Sequence, residues 1–168
     1  MRRALQIVSG GLIFLASVLA LAGPSAAKEW VVPARQGALQ DTLENAQAGD
    51  SLRLAPGIHQ GPVLIDKALV LEGAGEATIS GSGEGSVITV TAPDTEIRGL
   101  TLTGSGLSHE TLDAGVKLTK TAHRAIVDNN RILNNLTGVD VHGARDAIVA
   151  NNLIEGRQDL RMNERGNG

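Results

Sequence analysis

The 168-residue sequence contains no cysteine and no tyrosine, and it has only one tryptophan and one phenylalanine. The absence of cysteine excludes disulfide frameworks, cysteine-based zinc or iron–sulfur sites and cysteine nucleophiles. The shortage of aromatic side chains disfavours base stacking, and a net charge of −3 disfavours phosphate contacts, so no nucleic-acid partner is expected. Apolar residues still make up 42% of the chain, too many for a disordered protein. The length fits one domain with an aliphatic core.

The first 27 residues have the pattern of a secretory signal peptide. Arg2 and Arg3 precede an uncharged, apolar stretch at residues 4–22, and the small residues Ser25 and Ala27 mark a cleavage site before Lys28. An uncleaved anchor is the alternative, because the apolar run approaches the roughly 20 residues that span a bilayer. We predict a cleaved signal peptide over residues 1–27 and export to the periplasm.

Residues 28–50 are predicted to form an extended lead-in and one short helix. Apolar residues at Leu39, Leu43 and Ala46 have helical spacing and make a single apolar stripe over residues 38–46. From Ser51 onward the pattern changes to runs of three or four alternating residues, bounded by glycine, proline, asparagine and aspartate. These runs indicate short strands over the rest of the chain.

An internal repeat organises those strands. The sequence GVKL at residues 115–118 matches GVDV at residues 138–141, and AIVDNNRI at 125–132 matches AIVANNLI at 147–154. Strands this short cannot bury a useful core as a sandwich, but they can stack on their copies in neighbouring coils. The sequence therefore predicts an all-β, right-handed parallel β-helix over residues 51–168, with about five coils of roughly 22–24 residues.

Paired asparagines recur at one position of the repeat, at residues 129–130 and 151–152. Asparagine tolerates left-handed backbone angles at tight corners, and stacked asparagine side chains form hydrogen-bonded ladders. A structural role at a coil corner is therefore favoured over a functional one.

The two ends of the predicted solenoid differ. The helix at 38–46 is expected to cover the first coil through Leu39 and Leu43, because an exposed strand edge promotes aggregation. At the other end, residues 166–168 resemble the turn into another coil and no capping unit follows them. We therefore expect the coil region to be truncated at the C-terminus of this sequence.

No motif in the chain predicts catalysis. The glycine-rich stretches at 73–75 and 81–85 do not match a phosphate-binding loop, since no helix follows them. Polysaccharide-active β-helices use paired carboxylates, and glycoside hydrolysis needs two within about 5–10 Å. The sequence contains candidate acids but no tight acidic cluster: Asp113, Asp128, Asp140, Asp146 and Asp159.

Two weaker patterns concern metal and partner binding. His142 and Met162 are separated by nearly one coil, and imidazole with thioether suits cuprous copper, so this pair is the candidate metal site. The alternative is a surface histidine and a gap-filling methionine. Arg157, Arg161 and Arg165 recur at four-residue spacing and form the candidate partner-binding surface, because arginine is enriched at protein interfaces.

Three segments resemble the NosD family, periplasmic β-helix proteins of the nitrous oxide reductase maturation system. The most specific is the run DLRMNERGNG at residues 159–168; residues 48–57 and 139–144 are also similar. The resemblance covers most of residues 38–168. The opening at 48–57 is common to many carbohydrate-binding or sugar-hydrolase β-helices and is less specific.

The resemblance implies an accessory protein that is not an enzyme. Its implied partners are the ATPase and membrane subunits of an ABC transporter, a copper chaperone and nitrous oxide reductase, whose copper centre it helps to assemble. It implies no resident cofactor, although copper binding remains open. The alternatives from other classes are a carbohydrate-active β-helix of the lyase or epimerase type, and a structural solenoid without a ligand.

Overall fold

Short parallel strands stacked around one axis make up most of the regular structure. The computed structural model describes residues 26–160. Most of the predicted signal peptide, and the chain beyond residue 160, lie outside these described residues. The elements within residues 26–160 are β1 (Glu29–Val32), α1 (Ala38–Asn45), β2 (Ser51–Leu54), β3 (Gly57–Gln60), β4 (Val63–Ile65), β5 (Val70–Ser80), β6 (Ile88–Val90), β7 (Glu96–Thr103), β8 (Ala114–Leu118), β9 (Ile126–Asp128), β10 (Arg131–Asn135), β11 (Thr137–Val141), β12 (Ile148–Ala150) and β13 (Leu153–Gly156).

The strands form three stacks, here called faces. The first face contains β1, β2, the first parts of β5 and β7, β9 and β12. The second contains β3, the later parts of β5 and β7, β10 and β13. The third contains β4, β6, β8 and β11. Every pairing is parallel, so the chain is a parallel β-solenoid of about six turns, which confirms the predicted fold class.

The register follows the sequence repeat where the repeat is strongest. Val116 lies opposite Val139, and Ile126 lies opposite Ile148, as the alignment predicts. The preceding coil is longer than predicted: Arg124 stacks on Asp94, 30 residues earlier. The uniform length of 22–24 residues is therefore wrong for this coil, because residues 104–113 leave the stack as a loop. The lead-in also differs, since β1 pairs with β2 and forms a turn of its own.

Aliphatic side chains fill the interior in rows, because each strand places the same alternate positions inward. On the first face, Leu52, Leu71 and Ile97 lie in register and are at most 1% exposed. Val116 and Leu118 continue an equivalent row on the third face. Such thin layers need no aromatic bulk, in agreement with the composition.

The predicted asparagine corner is present between the first and second faces. Asn129 and Asn151 adopt left-handed angles, with φ of 53° and 55°. Asn130 is 2% exposed, and its Nδ2 donates to Asn152 Oδ1 at 3.0 Å and to Ile97 O at 3.0 Å. The corner is therefore a ladder of side-chain amides that satisfies buried backbone groups from one coil to the next.

The predicted helix is confirmed as α1, which buries Leu39 and Leu43 against the solenoid core. Gln40 Nε2 donates to Gln60 O at 3.0 Å, and Lys67 Nζ donates to Leu43 O at 2.9 Å, so side chains tie both ends of the helix to the first coils. No helix in residues 26–160 is long and apolar enough to cross a bilayer.

Alternating charges run along the outside of the first face. Glu72 lies between Arg53 and Arg98, with N–O distances of 2.9 Å and 2.7 Å. Hydrogen bonds from Arg98 and then from Arg53 lower the pKa of Glu72 below its ordinary value. The arginines are half-exposed, so this row contributes modestly to stability and leaves both guanidinium groups paired.

Candidate functional site: a cleft on the third face

The largest depression in residues 26–160 lies on the third face, beside the loop at residues 104–113. Its volume is about 870 Å³, within the size range of ligand and partner sites. Thr89 and Lys117 form its floor, residues 83–86 and 107–113 form its walls, and His142 lies at its rim. We call it the third-face cleft.

Asp113 holds the loop that forms one wall of the cleft. Its Oδ2 accepts the Ser108 N–H at 3.0 Å, and its Oδ1 accepts the Thr111 hydroxyl at 2.7 Å. Asp113 is 5% exposed, so these bonds are largely protected from water. Gly106 N also donates to Gly85 O at 2.8 Å, which joins the two walls. The loop is therefore a fixed part of the surface.

An ion pair lies on the floor of the third face. Lys117 Nζ is 3.1 Å from Asp140 Oδ2, and it also donates to Thr111 O. The side chain of Asp140 is only 10% exposed, and Lys117 supplies its compensating charge. Both groups are committed to structural partners, which argues against assigning either a general-acid or general-base role.

The remaining candidate acids are spread over the solenoid. Asp128 lies on the first face and accepts the Asn151 side-chain amide at 2.8 Å. Asp146 occupies a left-handed turn position, with φ of 57°. Asp159 follows β13 and pairs with Arg157. Their positions fit turn and surface roles, as the sequence favours for individual acids.

The candidate metal pair is only partly placed by the structure. His142 follows β11, is exposed, and donates its backbone N–H to Leu118 O at 2.8 Å. Met162 lies outside the described residues. Among residues 26–160, no group of three or more histidine, cysteine, aspartate or glutamate side chains is placed to hold a metal ion. Copper binding by His142 and Met162 therefore stays a prediction.

The candidate arginine surface is likewise only partly described. Arg157 forms a two-point contact with Asp159, from Nε to Oδ1 at 3.0 Å and from Nη2 to Oδ2 at 2.6 Å. The hydrogen bond to Asp159 raises the pKa of Arg157 above its ordinary value. Arg161 and Arg165 lie outside the described residues, so a shared surface for the three stays a prediction.

Sequence reasoning did not identify the third-face cleft. One available signal was the interruption of the repeat at residues 104–113, because an insertion in a solenoid maps to a loop beside one face. A second was the alignment of Lys117 with Asp140 in matched repeats, which places opposite charges on neighbouring coils.

The fold is shared with solved enzyme structures of low sequence identity. The PL6 family alginate lyase AlyGC superposes with a TM-score of 0.54 and 15% identity, over 80% of this chain and 22% of that chain. A point mutant of this lyase gives a TM-score of 0.56 and 17% identity, over 76% and 20%. At these identities the likeness concerns the β-helix fold alone.

Sequence comparison identifies the relatives. No family model matches the chain. "Probable ABC transporter binding protein NosD" of Stutzerimonas stutzeri is 36% identical over 116 residues, which is 69% of this chain and 27% of that protein. The protein of the same name from Pseudomonas aeruginosa strain PAO1 is 34% identical over 115 residues, 68% of this chain and 27% of its own length. The chain thus spans about a quarter of the curated relatives it matches, and over that segment it is a relative of the NosD family.

Proposed function

We propose that this chain is part of a periplasmic, non-catalytic accessory protein that docks on an ABC transporter and helps to assemble the copper centre of nitrous oxide reductase. The observation that carries the proposal is the similarity of a 116-residue segment to proteins named for ABC transporter binding. A solenoid suits such a role because stacked coils offer long, rigid surfaces to several partners.

The described side chains support a scaffold rather than an enzyme. The polar groups of the third-face cleft are engaged in holding the loop and the floor: Asp113 binds Ser108 and Thr111, and Lys117 binds Asp140. In this proposal copper is a cargo of the assembly, passed between partners, and its ligands include the exposed His142. The ATPase and membrane subunits, a copper chaperone and the reductase are the proposed partners.

A deletion strain tests this function. Nitrous oxide reductase is purified from the parent strain and from a strain lacking the gene for this chain, and copper per reductase is measured by elemental analysis. We expect a copper-deficient, inactive reductase in the deletion strain and recovery on complementation with the complete gene. A fully copper-loaded reductase from the deletion strain would overturn the proposal.

Copper handling by this chain has its own test. The complete protein is titrated with cuprous ion in parallel with His142→Ala and Met162→Leu, with His109→Ala as the control, since His109 is an exposed histidine of the loop at 104–113. Weaker binding in the first two variants supports the site. Unchanged affinity in both removes it and leaves the scaffold role.

The second candidate is a carbohydrate-active protein, favoured by the β-helix fold shared with an alginate lyase and by a cleft of about 870 Å³. Incubation of the purified protein with uronate polymers, followed by absorbance of unsaturated products and by sizing, distinguishes the two candidates. Depolymerisation that is lost in Lys117→Met would replace the accessory function with a lyase.

A further inference from the structure

Two exposed leucines project from the loop at residues 104–113 beside the third-face cleft. Leu107 is 48% exposed and Leu112 is 41% exposed, and both line the cleft. Leu112 has φ of 51°, a left-handed conformation that bulky residues rarely adopt. The chain therefore keeps an apolar side chain in water, on a backbone conformation that disfavours it, at the edge of its largest depression. Such outliers cluster at binding sites.

The leucines are held in place before any partner arrives. Asp113 binds both Ser108 and Thr111, and the backbone of Asp113 also donates to Ser108 O at 3.1 Å. Gly106 leaves no room for a Cβ, because Asp113 Oδ2 and Gly85 N lie against it. A loop fixed in this way loses little conformational entropy on binding, so its exposed apolar area contributes more fully to affinity.

The charges around the leucines are mostly acidic. Glu84 and Glu110 line the cleft and are exposed, one on each wall. Lys117 is the one lysine or arginine lining the cleft among the described residues, and Asp140 already neutralises it. A ligand in contact with both leucines therefore meets two unpaired carboxylates, and positive charge on that ligand complements them.

We propose that the third-face cleft docks an extended segment of a partner protein in which aliphatic side chains alternate with lysine or arginine. The aliphatic groups pack on Leu107 and Leu112, and the cations pair with Glu84 and Glu110. The inference rests on the proposed function in one respect, namely that the segment belongs to a protein of the assembly machinery. Anionic membrane surfaces and acidic polysaccharides carry the same sign of charge as the cleft and are disfavoured.

Fluorescence anisotropy with a defined probe tests the docking site. The probe is a short, labelled synthetic peptide in which leucine and arginine alternate, and a peptide with glutamate in place of arginine is its counterpart. We expect the complete protein to bind the cationic peptide, more weakly as salt is raised, and not to bind the acidic one. Equal binding of the two peptides would overturn the proposal.

Matched substitutions locate the binding. The pair Leu107→Ser and Leu112→Asn removes the apolar contacts, and asparagine suits the left-handed position, so the loop should remain folded. The pair Glu84→Gln and Glu110→Gln removes the charges. Each pair should weaken binding about tenfold. Leu64→Ser and Glu76→Gln change an equally exposed leucine and glutamate elsewhere and should have no effect. Equal losses in the controls would place the site elsewhere.

The same variants separate this inference from the proposed function. If the deletion strain makes copper-deficient reductase but the cleft variants bind the cationic peptide like wild type, the docking site is wrong and the accessory role stands. If peptide binding depends on the cleft while reductase assembly is unaffected by deletion, the accessory role is wrong. An oligo-uronate that competes with the peptide at the cleft would overturn the assignment to a protein segment.

Discussion

Asn130 and Asn152 occupy the same corner of adjacent coils, and the side-chain amide of Asn130 donates to Asn152 Oδ1 at 3.0 Å. The backbone N–H of Asn130 donates to the same oxygen at 2.9 Å. Asn130 Oδ1 in turn accepts the N–H of Leu100 in the preceding coil at 3.1 Å. Three coils are thus connected through one buried asparagine, which links the repeat in the sequence directly to the stability of the stack.

Removal of this side chain should be strongly destabilising. Asn130→Ala leaves the Leu100 N–H and the Ile97 carbonyl without their partner in a buried corner, so we expect a loss of about 2–4 kcal/mol in the free energy of unfolding. Urea denaturation monitored by circular dichroism measures it. Asn45→Ala, which removes an exposed hydrogen bond on α1, is the control and should change stability by less than about 0.5 kcal/mol. Equal effects in the two variants would mean that the ladder does not carry the corner.

Acid should release the first strand through Asp50. Hydrogen bonds from Gln47 N–H, from the Trp30 indole and from Lys28 N–H lower the pKa of Asp50 below its ordinary value. A carboxyl group whose pKa is lowered by folding stabilises the protein above its unfolded pKa of about 4, and this stabilisation disappears as pH falls through the folded pKa. We therefore expect β1 to loosen in acid, below about pH 4.

Trp30 provides the measurement, because it is the single tryptophan of the chain and its Nε1 donates to Asp50 Oδ2 at 2.8 Å. Its fluorescence in wild type should change on acidification. In Asp50→Asn the acid-like signal should already be present at neutral pH and should depend less on pH. Asp66→Asn, at an exposed aspartate, should behave as wild type. An acid transition of Trp30 that persists unchanged in Asp50→Asn would contradict this account.

The repeat made the stack predictable, whereas departures from the repeat did not announce their structure. Val116 and Val139 could be paired from sequence, because identical neighbours at a constant shift must lie in register in a solenoid. The lead-in carries no repeat signal, and its strand is fixed by the contact of Trp30 with Asp50, which no local pattern encodes. The third-face cleft depends on where the loop at 104–113 lies relative to the next coil, and this is a tertiary property.

Close packing at Gly138 should reject even a methyl group. A Cβ at this position would collide with the Ile154 side chain in the next coil, although the backbone angle itself is ordinary. Gly138→Ala should therefore cost about 1–3 kcal/mol in the free energy of unfolding, as overpacking does. Ile154→Ala removes the colliding atoms, so the double variant should be less destabilised than the sum of the single variants. Additive losses would show that the two sites do not touch.

The ion pair between Lys117 and Asp140 should be coupled more strongly than pairs on the first face. The side chain of Asp140 is 10% exposed, so Lys117→Met leaves a mostly buried carboxylate without its cation, and we expect a loss of about 2 kcal/mol or more. A double-mutant cycle with Asp140→Asn should give a coupling energy of about 1–2 kcal/mol. The same cycle for Arg53 and Glu29, whose side chains are each 56% exposed, should give less than about 0.5 kcal/mol. Urea denaturation at low and high salt measures both cycles. Equal coupling energies in the two pairs would show that burial beside the cleft does not strengthen this contact.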